Sequence, residues 1–146
     1  MRLTILVIIS AILGYLLATP LPNLLEMTML ICGGTLITGA SNGFNQLLEK
    51  EQDSVMARTC NRPIAANRIN IKEGIIVGII SALIGMFLLW YFLNPLTGVL
   101  AMLSLFVYVF LYTPLKRITP LAVIVGAFPG AVPPMLGWVA VTSEFG

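Results

Sequence analysis

The sequence predicts an all-α bundle of five transmembrane helices, and two observations lead to this fold class. Of the 146 residues, 58% are hydrophobic and only 10% are charged, whereas soluble domains are about half apolar and a quarter charged. The apolar residues also form five long runs, each close to the roughly 20 residues that a helix needs to cross a bilayer. These runs span residues 3–19, 24–48, 74–93, 96–115 and 121–141 of one membrane domain, 1–146.

The first two runs predict a helical hairpin. Residues 3–19 carry no charge and are joined to the second run by the short segment 20–23. The second run, 24–48, contains Glu26 near its start and becomes polar at its end. Because the first run is unbroken and is followed at once by others, it is not typical of a cleaved signal peptide.

The last three runs are uncharged, and the fifth is rich in proline. Runs 74–93 and 96–115 are separated by two residues only, whereas run 121–141 contains Pro129, Pro133 and Pro134. These prolines predict a broken or irregular helix, which is tolerated at membrane depth only against protein or a cavity. The glycine pairs Gly39/Gly43 and Gly74/Gly78 are interpreted as helix-packing positions, and Gly126/Gly130 as part of the irregular helix.

Charge gathers on one side of the predicted bundle. The short connections are uncharged, while the loop 49–73 and the corner after residue 115 are basic. Cytoplasmic loops carry the excess of lysine and arginine, so the N-terminus and loop 49–73 are expected in the cytoplasm. All eight basic residues fall on this side: Arg2, Lys50, Arg58, Arg62, Arg68, Lys72, Lys116 and Arg117.

An acidic ladder follows the second run. If the helix continues, Asn45, Glu49 and Asp53 stack on one face, because four residues turn 400° and drift only about 40° per step. Such oxygen donors suit Mg²⁺, which takes few carboxylates and completes its shell with water and substrate phosphate. The alternative is a frayed helix end with solvated charges.

Basic side chains accompany the ladder. Arg58 and Arg62 follow it in the loop, and Tyr112, Lys116 and Arg117 lie at the same predicted membrane face. Arginine and lysine donate charge-assisted hydrogen bonds to phosphates, although ordinary positive-inside charge explains them equally well. The chain has no histidine and no spaced cysteine set, so acid, base or metal chemistry must use other side chains. No nucleic-acid partner is indicated.

These motifs resemble the UbiA-type superfamily of intramembrane prenyltransferases. Its first acidic motif, N-x-x-x-D-x-x-x-D, corresponds to Asn45, Glu49 and Asp53, with Glu49 in place of the commoner aspartate, and an R-P pair follows at Arg62. The runs DSVMARTCNRP, YTPLKRIT and GAFPGAVPPMLGW resemble the haem-type branch, the protoheme IX farnesyltransferases. The resemblance covers nearly the whole chain.

The resemblance implies half of a nine-helix fold in the bacterial inner membrane. The implied reaction moves a farnesyl group from farnesyl diphosphate to the vinyl group of haem b, giving haem O, with Mg²⁺ as cofactor. Asn45, Glu49 and Asp53 are then expected to hold the metal, and Tyr112 to orient the leaving group. The diphosphate would be bound by Arg58, Arg62, Lys116 and Arg117.

The sequence departs from the family at its end. It lacks the later half, with its second aspartate-rich motif and histidine, so we expect a truncated or split gene product that is inactive alone. Three alternatives stay open: a UbiA-type enzyme with an aromatic or quinone-precursor acceptor, a transporter subunit, and an inactive membrane fragment. A transporter is disfavoured because helices three and four carry no intramembrane charge.

Overall fold

A computed structural model describes residues 2–145, which form helices and turns and no strand. Four of the helices are long and apolar enough to cross a membrane, and the first is a shorter apolar helix. The predicted all-α, multi-span bundle is therefore confirmed, and the chain is an integral multi-pass membrane protein. The helices are α1 (Arg2–Ala18), α2 (Leu24–Leu48), α3 (Lys50–Val55), α4 (Ile71–Phe92), α5 (Pro95–Leu115) and α6 (Ala122–Thr142).

Helix α4 begins three residues before the predicted start at residue 74. Its first turn contains Lys72 and Glu73, which a search for uncharged runs excludes. The Asn70 backbone N–H donates to the Glu73 carboxylate at 3.0 Å. This contact satisfies a backbone donor at the helix start, and it explains why the charged turn is helical.

The segment predicted as the loop 49–73 contains additional structure. The short helix α3 follows α2 directly, and residues 56–70 form a series of turns before α4. Ile64 and Ala65 are buried in these turns. The segment is therefore folded against the bundle rather than extended into solvent.

Helices α1 and α6 cross at two glycines. A Cβ at Gly14 would lie 2.0 Å from the Pro134 carbonyl oxygen, and one at Gly137 would lie 1.9 Å from the Ala11 carbonyl oxygen. Such distances exclude any side chain at either position, so the two backbones are in direct contact. This is the close approach that small residues permit between membrane helices.

A second close crossing joins α2 and α4 at Gly33 and Gly85. A Cβ at Gly85 would lie 2.9 Å from the Gly33 carbonyl oxygen. The predicted pair Gly74/Gly78 also packs against α2, since a Cβ at Gly78 would lie 2.8 Å from the Phe44 ring. The contacts at Gly85 and at Gly78 both hold α4 against α2, the helix that leads into the acidic ladder.

The predicted packing role of Gly39 and Gly43 is not seen among residues 2–145. A Cβ at either residue would meet no described atom within 4 Å. Both belong to α2, but neither faces the contacts that α2 makes with α4 through Gly33. Spacing identified pairs of glycines, but it did not tell which face of the helix is covered.

The predicted break in the fifth span is also wrong. Helix α6 runs from Ala122 to Thr142 with Pro129, Pro133 and Pro134 inside it. The irregular segment lies instead in α5, where Val107–Tyr112 is π-helical. Pro114 follows this turn. Proline has no backbone N–H to donate, and its ring clashes with the carbonyl four residues earlier, which accounts for the local change of winding.

Asn94 fixes the end of the bundle away from the acidic ladder. Its side-chain oxygen accepts from the Thr97 backbone N–H at 2.8 Å and so caps α5. Its side-chain nitrogen donates to the Val139 carbonyl at 2.7 Å, near the end of α6. One buried amide thus joins the α4–α5 corner to α6.

Candidate active site

The acidic ladder lies where α2 passes into α3. The Glu49 N–H donates to the Asn45 carbonyl at 3.0 Å, and the Asp53 N–H donates to the Glu49 carbonyl at 2.8 Å. These two i to i−4 bonds bridge the junction, but the helix is interrupted there, because α2 ends at Leu48 and Glu49 has non-helical dihedrals (φ −104°, ψ 11°). Asn45 and Asp53 are buried, whereas Glu51 is exposed on another face.

Asn45, Glu49 and Lys116 form a connected polar cluster. The Asn45 Nδ2 group donates to Glu49 Oε2 at 2.8 Å. The Lys116 ammonium lies 2.8 Å from Glu49 Oε1 and donates to Asn45 Oδ1 at 3.2 Å. The Glu49 side chain is only 13% exposed. A half-buried carboxylate at the end of α2 is thus neutralised by a cation from the end of α5.

Asp53 is paired with Arg62 from the turns that follow α3. The Arg62 guanidinium lies 2.8 Å from Asp53 Oδ2, and the Asp53 side chain is only 6% exposed. Thr59 donates its hydroxyl hydrogen to the Asp53 backbone carbonyl at 3.2 Å. These contacts fold the turns back onto the ladder and bring a guanidinium to the polar end of the bundle.

Tyr112 projects from the π-helical turn against α6. Its ring stacks on that of Tyr108 at a centroid distance of 5.3 Å, and the Lys116 ammonium lies 5.5 Å from its centroid. A Cβ at Gly126 would lie 2.7 Å from the Tyr112 ring. The ring therefore occupies space that only a glycine leaves free.

Two of the predicted phosphate-binding cations, Arg58 and Arg117, do not pair with the acidic ladder as Arg62 and Lys116 do. Arg117 donates to the Leu48 backbone carbonyl at 2.7 Å, so it satisfies an orphan carbonyl at the end of α2. Arg58 is exposed and makes no ion pair within residues 2–145. Their roles in diphosphate binding stay predictions.

Sequence reasoning missed Thr113 and Tyr108. Thr113 is fully buried, and its hydroxyl lies within hydrogen-bonding distance of Asn45 Oδ1, at 3.0 Å. Tyr108 is half-buried beside Tyr112. Tyr108 and Tyr112 are four residues apart, which a search for helical pairs could have found, whereas nothing in the sequence indicates that Thr113 faces α2.

A cavity of about 610 Å³ is lined in part by Tyr112, whose ring also faces Lys116 of the polar cluster. Its wall is mainly apolar and comes from α1, α2, α5 and α6, with one residue of α4. A few hydroxyl and amide groups interrupt this wall, among them Ser41, Asn42, Tyr108 and Tyr112. An apolar cavity with a few converging polar groups is typical of a small-molecule site.

The donors at the ladder fit Mg²⁺ in chemical type. Asn45, Glu49 and Asp53 offer only oxygen ligands, which hard divalent cations prefer. Within the part of the chain that the structure describes, no three Asp, Glu, His or Cys side chains cluster closely enough to hold a metal alone. A cation held here would therefore take further oxygens from water or from a phosphate, which is the usual way that Mg²⁺ is bound.

Comparisons with known proteins agree with this architecture. Residues 7–146 match the model of the UbiA prenyltransferase family. Two relatives named protoheme IX farnesyltransferase come from Christiangramia forsetii and Flavobacterium johnsoniae. Their sequences are 44% and 47% identical to this one, in alignments that cover 99% of this chain. The chain spans about half the length of these curated relatives, 48% and 49% respectively.

A solved structure shares the fold. It is described as the apo structure of a UbiA homolog from Aeropyrum pernix K1, and it superposes with a TM-score of 0.79 at 23% identity. The likeness covers 97% of this chain and 50% of that one. Since the family match extends over almost all of the 146 residues and the fold agrees, the chain belongs to the UbiA prenyltransferase family.

Proposed function

We propose that this chain provides half of the active site of an enzyme that farnesylates haem. The reaction would transfer the farnesyl group of farnesyl diphosphate to a vinyl group of haem b, giving haem O. The observation that carries the proposal is the polar cluster of Asn45, Glu49 and Lys116, which Tyr112 connects to a largely apolar cavity. The names of the relatives from Christiangramia forsetii and Flavobacterium johnsoniae support haem as acceptor.

The charges of the cluster suit a leaving diphosphate. As the allylic C–O bond breaks, the diphosphate takes the electron pair, and its negative charge increases. Lys116 and Arg62 can donate charge-assisted hydrogen bonds to it. Arg58 and Arg117, which belong to the same two segments as Arg62 and Lys116, are proposed to contribute longer-range attraction. Tyr112, beside Lys116, is proposed to orient the diphosphate.

The apolar cavity suits the other half of the reaction. An allylic cation reacts quickly with water, so its lifetime depends on a site from which water is excluded. The cavity wall offers side chains such as Leu30, Ile37 and Leu136, with few polar groups. A farnesyl chain and a haem are both apolar enough to enter such a cavity from a bilayer. The vinyl π electrons of haem would then form the new C–C bond and leave a cation on the other vinyl carbon. One water molecule would add to that cation and lose a proton, which supplies the hydroxyl group of haem O.

Mg²⁺ is proposed to be held by Asn45, Glu49 and Asp53. When bound, it would supply positive charge to the diphosphate oxygens. The buried positions of Asn45 and Asp53 support this role, because polar groups inside a membrane bundle are costly and tend to mark function. We also propose that this end of the bundle faces the cytoplasm of a bacterial inner membrane, since the basic residues gather there.

The proposal is tested with a chimera. Residues 1–146 are joined to the part of the Flavobacterium johnsoniae relative that they do not match, and the product is reconstituted in liposomes with Mg²⁺, haem b and farnesyl diphosphate. We expect haem O, detected by mass spectrometry, from the chimera and none from residues 1–146 alone. A chimera that folds but leaves haem b unchanged would contradict the proposal.

The same liposomes separate the alternatives. In place of haem b, they receive an aromatic acid or a quinone precursor, with the same farnesyl diphosphate. Prenylation of these acceptors and not of haem would favour another UbiA-type reaction. Haem O produced by residues 1–146 alone would contradict the expected inactivity of the isolated chain.

A further inference from the structure

Thr113 connects two parts of the candidate site, although nothing in its sequence context assigns it a role. It is fully buried, with 0% of its surface exposed. Its hydroxyl lies 3.0 Å from Asn45 Oδ1 on α2 and 2.9 Å from the Tyr108 carbonyl on its own helix. A hydroxyl has a single hydrogen to donate, so which acceptor receives it decides what Thr113 does.

The π-helical turn leaves this hydrogen available to Asn45. The Thr113 backbone N–H already donates to the Tyr108 carbonyl, because the winding there is one residue wider than in an α-helix. That carbonyl is therefore satisfied without the hydroxyl. Asn45 Oδ1 is buried, and it gains a neutral donor to complement the ammonium of Lys116.

The neighbours of Asn45 fix which way its amide faces. Glu49 can only accept a hydrogen bond and Lys116 can only donate one. The Asn45 nitrogen must therefore face Glu49, at 2.8 Å, and its oxygen must face Lys116, at 3.2 Å. Thr113 faces the oxygen, and as a donor it supports the same orientation. If Lys116 turns toward an anion, Thr113 is the donor that still holds the amide.

We propose that Thr113 is a positioning residue that keeps the Asn45 side-chain amide oriented. In this orientation the amide nitrogen faces Glu49 and the amide oxygen faces Lys116. The inference rests on the proposed function, since it gives a role to Thr113 only if Asn45 and Glu49 bind Mg²⁺ and diphosphate. The competing explanation is a buried hydroxyl that is satisfied by the Tyr108 carbonyl and serves packing alone.

The chain contains a matched control, Thr97. Thr97 is on the same helix, is also 0% exposed, and its hydroxyl also donates to an asparagine oxygen, that of Asn94 at 2.8 Å. It lies at the opposite end of α5, away from Asn45. Valine has nearly the shape of threonine without the hydroxyl, so Thr113→Val and Thr97→Val remove equivalent groups. Thr113→Ser keeps the hydroxyl and should rescue.

The first measurement is the NMR resonance of the Asn45 side-chain NH₂ group in the 146-residue chain in detergent, assigned by its loss in Asn45→Asp. We expect Thr113→Val to shift or broaden this resonance, and Thr113→Ser and Thr97→Val to leave it near its wild-type position. An Asn45 resonance that is unchanged in folded Thr113→Val would overturn the inference, because the hydroxyl would then not hold the amide.

The second measurement adds inorganic diphosphate with Mg²⁺ to the chimera, which contains both halves of the proposed site, and follows the same resonance. We expect Thr113→Val to bind about five- to tenfold more weakly than wild type, the size of effect expected for one hydrogen bond, and Thr97→Val to bind normally. If wild type itself does not respond, the proposed site fails even where Thr113 orients Asn45. If wild type and Thr113→Val respond equally, Thr113 is a packing residue and the inference is wrong.

Discussion

The Lys116 ammonium lies 2.8 Å from the Glu49 carboxylate, and this ion pair joins the end of α5 to the end of α2. Both side chains are more than two-thirds covered, so their charges are poorly solvated and depend on each other. The pair also places a cation within 3.2 Å of the Asn45 amide oxygen. Acid, amide and base from two distant parts of the chain thus converge on one small volume.

Replacing Lys116 by methionine should reduce haem farnesylation by the chimera about a hundredfold. The loss of one charged donor from a site where negative charge develops has effects of this size. The rate of haem O formation at saturating farnesyl diphosphate measures it. Lys72→Met removes the same charge from the exposed first turn of α4 and should keep nearly the full rate.

Removal of Lys116 also leaves Glu49 without its cation, so stability must be followed in the same samples. Near-normal melting of Lys116→Met in detergent, together with a normal rate, would contradict the proposed role of Lys116 in the reaction. A lower rate with unchanged melting would assign the effect to the chemistry rather than to folding.

Replacing Arg62 by glutamine should destabilise the turns between α3 and α4. The Asp53 carboxylate is 6% exposed and would lose its ion-pair partner. Because the Arg62 side chain is itself 37% exposed and partly screened by solvent, we expect a moderate cost of about 1–2 kcal/mol. Thermal unfolding in detergent and protease cleavage within residues 56–70 report the change.

Two further variants test whether the Asp53–Arg62 contact causes this loss. The double variant Asp53→Asn/Arg62→Gln removes both charges and should recover part of the stability, because no unpaired carboxylate is left buried. Arg58→Gln removes an exposed arginine from the same segment and should not change the melting temperature. Equal losses in Arg58→Gln and Arg62→Gln would mean that the pair is not the cause.

The fold class could be predicted from the sequence because it depends on local patterns, and so could the contact of Asn45 with Glu49, four residues further along the chain. Apolar runs of bilayer length give the spans, and a spacing of four gives a helical face. Which base meets which acid could not be predicted in the same way. The contact of Lys116 with Glu49, and not with Asp53, depends on the rotation of α5 about its axis, and the π-helical turn at Val107–Tyr112 changes that rotation.

The packing glycines show the same limit. Gly14 and Gly137 make the closest backbone contacts, yet neither lies four residues from another glycine. Gly39 and Gly43 do have this spacing, and they meet no described atom within 4 Å. Spacing alone shows that one face of a helix carries small residues. Whether another helix packs against that face depends on the position of the neighbouring helix.

Alanine at Gly14 or Gly137 should therefore disrupt the crossing of α1 and α6. A Cβ would lie 2.0 Å or 1.9 Å from a carbonyl oxygen of the facing backbone, which cannot rotate away as a side chain can. We expect a lower melting temperature and increased aggregation in detergent. Gly39→Ala adds a Cβ into open space and should raise stability slightly, because alanine is the better helix former. Equal melting of all three variants would contradict the observed crossing.

Alanine at Gly126 should impair the reaction more than the fold. The new methyl group would lie 2.7 Å from the Tyr112 ring, so the ring must move from its place beside Tyr108 and Lys116. The Tyr112 ring lines the cavity and can shift into it at a small packing cost. We expect the chimera carrying Gly126→Ala to form haem O at least about tenfold more slowly, a loss typical of misplaced active-site groups.

The matched control is Gly130→Ala, one turn further along α6. Both glycines line the cavity, but a Cβ at Gly130 meets no described atom within 4 Å. The two variants therefore make the same change in helix propensity and differ in whether Tyr112 is displaced. Replacing Tyr112 by phenylalanine in the Gly126→Ala background keeps the ring and removes its hydroxyl. This variant distinguishes the effect of the displaced ring from the effect of the displaced hydroxyl. If Gly126→Ala and Gly130→Ala slow the reaction equally, the effect comes from narrowing the cavity, and the position of Tyr112 is not what matters.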